Sequence, residues 1–183
     1  MKIQETEIIE LMSSEKSREK GVRLMMDAYQ SRLYWHIRRL IIDPDIAQDV
    51  LQDTFIKAYQ KFHQFKQDSQ LYTWLYRIAT NEALQQLSKM KKMQKSDEGT
   101  EYHLQNLVAE SASPDADEIQ ILLQQAIQSL PEKQKLVFNL RYYDELPYEE
   151  ISKILDMSVG TLKTNYHYAK QKVEIFIKEN YKE

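Results

Sequence analysis

Apolar residues recur at spacings of three and four along most of the chain, the period of helices with one buried face. Asp43-Pro44 reads as a helix start, a capping acid followed by proline in the first turn. Beyond it Ala47, Val50, Leu51, Thr54, Ala58 and Phe62 fall on one face. Asp68 or Ser69 is placed to cap the next helix, whose apolar positions include Leu71, Trp74, Leu75, Ile78, Ala79 and Leu87, with Trp74 expected in the core. Upstream, "VRLMMDAYQSRLYWHIRRLII" is a third long amphipathic segment and "ETEIIELM" a short one. Toward the C-terminus Pro131 and Pro147 each mark a first helical turn. The pattern predicts an all-α protein.

The segment "YEEISKILDMSVGTLKTNYHYAKQKV" has the form of a helix-turn-helix. Ile151, Ile154 and Leu155 give its first helix a buried edge, and Ser152 is small enough for a second helix to cross closely. After "DMS", Ser158 is a good N-cap. Val159, Leu162, Tyr166, Ala169, Val173 and Phe176 then form an unbroken apolar stripe. The opposite face presents Lys163, Thr164, His167 and Lys170, flanked by Asn165 and Tyr168, residue types that reach base edges and phosphates from a major groove. An ordinary helical hairpin with a solvated basic face shows the same pattern.

Charge divides the chain. From Ser96 to Glu118, "SDEGTEYHLQNLVAESASPDADE" carries seven acids and no lysine or arginine. With Gly99, Pro114 and many small polar residues, it reads as a flexible acidic linker. Two small helical domains, 1–95 and 118–183, are therefore expected on either side of a linker at 96–117. At 183 residues there is room for both. The net charge of −3 argues against a protein held on DNA by bulk electrostatics alone. Cysteine is absent, which excludes disulfides and thiolate zinc sites. The four histidines stand far apart, and Asp45, Asp49 and Asp53, though spaced to share an ion, meet no second carboxylate helix in the pattern. No metal and no cofactor are expected. The N-terminus lacks an apolar core long enough for a signal peptide and no membrane-spanning run follows, so the expected location is the cytoplasm.

Here the sequence resembles a known family. "SLPEKQKLVFNLRYYDELPYEEISKILDMSVGTLKTNYHYAKQKV" is similar to the C-terminal promoter-binding domain of bacterial sigma factors, above all those of the extracytoplasmic-function (ECF) group. "DPDIAQDVLQDTFIKAYQKFHQF" and "DSQLYTWLYRIATNEALQQL" resemble that group's other domain, in the same order. The resemblance implies a subunit that brings core RNA polymerase to promoter DNA and does no covalent chemistry. It also implies an anti-sigma partner and no direct membrane insertion. Polymerase would supply much of the DNA affinity, so local basic faces suffice. A stand-alone helix-turn-helix regulator is the alternative. It calls for a ligand-binding or receiver domain in the N-terminal half, of which the pattern gives no sign.

By the same resemblance Asp49, Gln52, Asp53, Ile56 and Gln60 would dock on the clamp helices of polymerase's largest subunit. Lys66, Gln67, Asp68 and Ser69 would form a loop that captures an unstacked base of the −10 element. Arg77, Asn81, Lys89, Lys91 and Lys92 would contact DNA from the helix behind it. Lys163, Thr164, Asn165, His167, Tyr168 and Lys170 would read the −35 element. The sequence departs from the family where it has Asp156 in place of a turn glycine. It has Gln85, Ser88 and Lys89 where an aspartate and arginines are usual. His167 and Tyr168 stand where more basic residues are common. Aspartate accepts a left-handed conformation better than most residues, so the turn is expected to survive.

Overall fold

The computed structural model describes residues 5–94 and 118–181. Among them are eight α-helices, a 3-10 turn and no strand. The helices are α1 (Glu5–Ser13), α2 (Arg18–Leu40), α3 (Pro44–Lys61), α4 (Leu71–Gln94), α5 (Glu118–Gln128), α6 (Glu132–Tyr142), α7 (Tyr148–Leu155) and α8 (Val159–Asn180), with the 3-10 turn Phe62–Gln64 after α3. The chain folds as two compact units, divided after Leu87. The expected linker lies outside the described residues.

The first unit is built on α2, α3 and the first part of α4, with α1 folded back on α2. Pro44 opens α3, and the Asp43 carboxylate accepts the N–H groups of Asp45 and Ile46, both at 2.9 Å. Every residue of the expected α3 stripe is buried: Ala47, Val50, Leu51, Thr54, Ala58 and, in the 3-10 turn, Phe62. The buried flank of α4 supplies Leu71, Leu75, Tyr76, Ala79, Thr80 and Ala83. A polar chain crosses this core. The Thr80 hydroxyl donates its one proton to the Tyr76 carbonyl at 2.8 Å, so it accepts from His36 Nε2, 2.9 Å away on α2. At the rim Lys57 of α3 pairs with Glu82 of α4.

Two expectations about α4 need correction. The helix begins at Leu71, so Asp68 and Ser69 fall short of the capping position. Its first N–H instead donates to the Glu5 carboxylate at 2.6 Å. Trp74 is only half-buried; its ring lies 5.3 Å from Phe65 and 6.1 Å from Phe62. It anchors the loop before the helix rather than the centre of the core.

The α1–α2 hairpin is close. Ser17 Oγ donates to the Leu11 carbonyl at 3.0 Å and Arg18 Nε to that of Met12 at 3.2 Å. A side chain at Gly21 would stand 2.8 Å from the Met12 nitrogen. Glycine is required there by space and not by backbone conformation.

In the second unit Ala126, Ile127, Leu130, Phe138, Ala169 and Val173 form the core, with Leu123, Tyr166, Phe176 and Ile177 packed around it. Helix α8 lies against both α5 and α6. Pro131 and Pro147 each stand at the N-cap, one position ahead of the first helical turn.

Replacing Gly21 by valine will push α1 off α2. The expected loss in urea unfolding of the full chain is about 1–3 kcal/mol, the range for an overpacked contact. An unchanged midpoint would mean that α1 shifts without strain.

Candidate polymerase and promoter interfaces

The outer face of α3 is fixed by its buried stripe. Asp49, Gln52, Asp53, Ile56 and Gln60 are all exposed on it, Ile56 with 53% of its surface in solvent. An isoleucine so exposed amid polar side chains has the make-up of an interface. Tyr59, beneath the Arg18 guanidinium at 5.8 Å, is 42% exposed on the same helix. On α2, Trp35 is 57% exposed. Sequence reasoning missed both. For Trp35 a signal was available: its neighbours Leu33, His36 and Ile37 are the buried ones, which turns position 35 outward. No group of three or more potential metal ligands gathers among the described residues.

The loop before α4 is held at both ends. At the near end Phe65 donates its N–H to the Phe62 carbonyl at 2.9 Å and packs on Trp74. At the far end Leu71 N–H meets Glu5. Between them Lys66, Gln67 and Asp68 are exposed and Ser69 half-buried. Gln67 takes a left-handed conformation with φ 58°, uncommon for glutamine. Arg77 and Asn81, one helical turn apart, are exposed on α4.

Lys89, Lys91 and Lys92 are exposed too, on the last turns of α4, which belong to the second unit. The nine candidate −10 residues therefore divide between the two units, Lys66–Ser69, Arg77 and Asn81 in the first and Lys89, Lys91 and Lys92 in the second.

In the helix-turn-helix, Asp156 ends α7 in the left-handed conformation, φ 54° and ψ 48°, as its place in the turn demands. Ser152 knits the turn: its hydroxyl donates to the Met157 carbonyl at 2.6 Å, and its own carbonyl accepts the Asp156 N–H. Ser158 then caps α8, accepting the Thr161 N–H at 3.1 Å. The apolar stripe turns inward, with Leu162, Ala169 and Val173 buried and Val159, Tyr166 and Phe176 half-buried. Burial raises the Tyr166 hydroxyl above its usual pKa, so it stays protonated.

Opposite that stripe Lys163, Thr164, His167, Tyr168 and Lys170 are exposed. Asn165 is half-buried, and its amide donates to the Thr161 carbonyl at 2.9 Å, so it is committed to its own helix. Lys170 pairs loosely with Glu174 at 3.7 Å. Tyr148, which the sequence reading passed over, lies between two cations: Arg141 at 5.3 Å and Lys163 at 5.8 Å from its ring. Its ring faces the Lys163 ammonium at the tip of that side chain.

Both helical units match the sigma-70 family. Sigma-70 region 2 matches residues 25–93 and Sigma-70 region 4 matches residues 120–173. The ECF RNA polymerase sigma-E factor of Escherichia coli (strain K12) is 31% identical over 169 residues, covering 87% of this chain and 88% of that protein. The RNA polymerase sigma-H factor of Pseudomonas aeruginosa is 34% identical over 160 residues, covering 82% and 83%. The chain belongs to the ECF RNA polymerase sigma factors. It is a transcription initiation factor, which removes the stand-alone regulator as a reading. The fold is shared with the sigma factor RpoE from Bartonella quintana, solved with the anti-sigma factor NepR (TM-score 0.70, 23% identity, 88% of this chain and 99% of that one). It is shared also with CnrH, solved with the cytosolic domain of CnrY (TM-score 0.71, 15% identity, 97% and 98%). No helix among the described residues is long and apolar enough to cross a membrane.

The turn gives a direct check on this geometry. Asp156→Gly should stabilise the full chain by about 1 kcal/mol, because glycine adopts the left-handed conformation without penalty. Asp156→Val should destabilise it by at least as much, and thermal unfolding reads both.

Proposed function

We propose that residues 1–95 dock on core polymerase and open the −10 element, that 96–117 act as a tether, and that 118–183 read the −35 element. Acting in the cytoplasm, the protein lends binding energy to polymerase and catalyses no reaction itself. The observation that carries this reading is the pair of sigma-70 matches in order along one chain, each on a unit with an exposed face suited to its task. Promoter-specific run-off transcription by core polymerase, with and without the protein, tests it. No gain in specific transcript would overturn it.

Asp49, Gln52, Asp53, Ile56 and Gln60 are the proposed docking face on the clamp helices. Lys66, Gln67, Asp68 and Ser69 form the proposed pocket for an unstacked base, whose edge needs small polar partners. Arg77 and Asn81 would contact DNA behind the loop, and Lys89, Lys91 and Lys92 would meet phosphates farther along. Two solved proteins of the same fold are each bound to a second protein, and in one of them that partner is an anti-sigma factor. This supports a protein antagonist for the present chain as well.

Asp49→Lys combined with Asp53→Lys should abolish co-purification with core polymerase. Reversing charge on a docking face replaces attraction with repulsion, a change of several kcal/mol. Both residues are exposed, so the variant should fold normally, and undiminished binding would refute the face.

On α8 the proposed contacts divide in two. Lys170, about two turns beyond the start of the reading face, should meet phosphate, so Lys170→Ala should weaken all promoters alike and lower the salt dependence. Lys163→Ala or Thr164→Ala should change the preferred −35 sequence, at about 1–3 kcal/mol per lost base contact. Selection from randomised −35 elements by each variant holoenzyme separates the two kinds. An unchanged preference for both would mean that α8 positions the protein without reading bases.

A further inference from the structure

Glu5 lies twenty residues ahead of the region 2 match, which begins at residue 25. It nevertheless touches the start of α4. Its Oε1 accepts the Leu71 N–H at 2.6 Å, across 66 positions of sequence. Its Oε2 accepts the Tyr29 hydroxyl of α2 at 3.3 Å. One carboxylate thus joins α1, α2 and the residue at which the loop of Lys66–Gln70 becomes helix. We infer that Glu5 is a positioning residue for that loop, and so for recognition of the −10 base. This rests on the loop's proposed role.

Four observations carry the inference. The arm that presents Glu5 is rigid: Ile8 and Met12 are fully buried, and the Ser17, Arg18 and Gly21 contacts lock α1 to α2. Tyr29 holds the carboxylate steadily, since burial and then the charge of Glu5 push its hydroxyl up to about 12, leaving the donor protonated at any physiological pH. The opposite end of the loop is already fixed by Phe65 on Trp74 and Phe62, so Glu5 supplies the second of two anchors. Finally, Gln67 holds a left-handed conformation between them, which persists only where the surroundings over-determine it.

Chemically, a helix N-terminus presents unpaired N–H groups and positive potential. Left open, this end of α4 would attract a phosphate of the incoming strand. Glu5 occupies its first N–H with a charge of the protein's own. The strand is then disfavoured from settling by its backbone at this point, and the loop is left to distinguish bases by their uncharged edges.

The test uses full-length variants in reconstituted holoenzyme: Glu5→Ala, Glu5→Gln, Tyr29→Phe, and a triple alanine replacement of Gln67, Asp68 and Ser69. Retention of core polymerase, permanganate reactivity of −10 thymines, and selection from randomised −10 elements are measured for each. Glu5→Ala should retain core polymerase, form about fivefold fewer open complexes, in line with the loss of one helix cap, and flatten preference at a single −10 position. Its −35 preference should not change. Tyr29→Phe should move the same readouts in the same direction by less. Glu5→Gln, which keeps an acceptor oxygen but not the charge, should recover part of the base preference and fall between the parent and Glu5→Ala. If Glu5→Ala does not fold, those two variants decide the question.

Unaltered −10 preference in a folded Glu5→Ala variant, with the triple variant altered, overturns the assignment of Glu5. Equal losses of core retention and open complexes overturn it too, because they mark a residue that only stabilises the unit. An unaltered preference in the triple variant instead overturns the loop's role itself.

Discussion

The first unit depends on the burial of one flank of α4. Leu71, Leu75, Tyr76, Ala79 and Ala83 face inward at helical spacing, and the His36–Thr80 hydrogen bond fixes α2 against them. A buried imidazole opposite a hydroxyl admits little sliding, because a lost partner leaves a desolvated polar group that costs about 1–3 kcal/mol. With α4 fixed, α3 has one way to pack and therefore one face to expose. The same constraint sets the loop, since Trp74 on α4 is what Phe65 rests on. The proposed docking face and the loop thus share one core. Neither can be displaced without the other.

Charge is arranged on the same economy. The net charge of −3 belongs to the chain as a whole; outside Ser96–Glu118, with its seven acids, the remaining residues sum to +4. The excess is small, and with a Debye length near 10 Å at ordinary salt only charges close to a phosphate act on it. What matters is position. Lys163 stands beside Tyr148 and Lys170 beside Glu174, each offered from an ordered helix. Such a protein gains little from non-specific duplex and relies on its larger partner to be brought near DNA.

Much of this was legible from residue order alone, and the reason is local. Asp43, Pro44, Ser158 and Asp156 act on their own neighbours within four residues, so capping and turn chemistry sufficed to place them. The α3 stripe was legible for the same reason, one period and one face, although it left out Phe55, which is buried beside Thr54. The failures were non-local. Asp68 and Ser69 looked like caps because nothing nearby reveals that α4 starts at Leu71 on a carboxylate from α1. Trp74 looked like core because periodicity gives direction but not depth. Tyr148 drew no notice because its meaning comes from Arg141 and Lys163, which approach it from two other helices.

The buried flank of α4 carries a further consequence. A helix is a screw, and each residue added between Leu75 and Ala83 would turn everything beyond it by about 100° while advancing it about 1.5 Å. Substitutions on the outer side change a side chain; insertions change a phase. Removing one residue after Arg77 would swing Ala79, Thr80 and Ala83 more than a quarter-turn out of the core while Leu71 and Leu75 stayed in place. Composition on the exposed side escapes this constraint, but length does not, and only a change that adds up to nearly whole turns returns the far end to its original bearing.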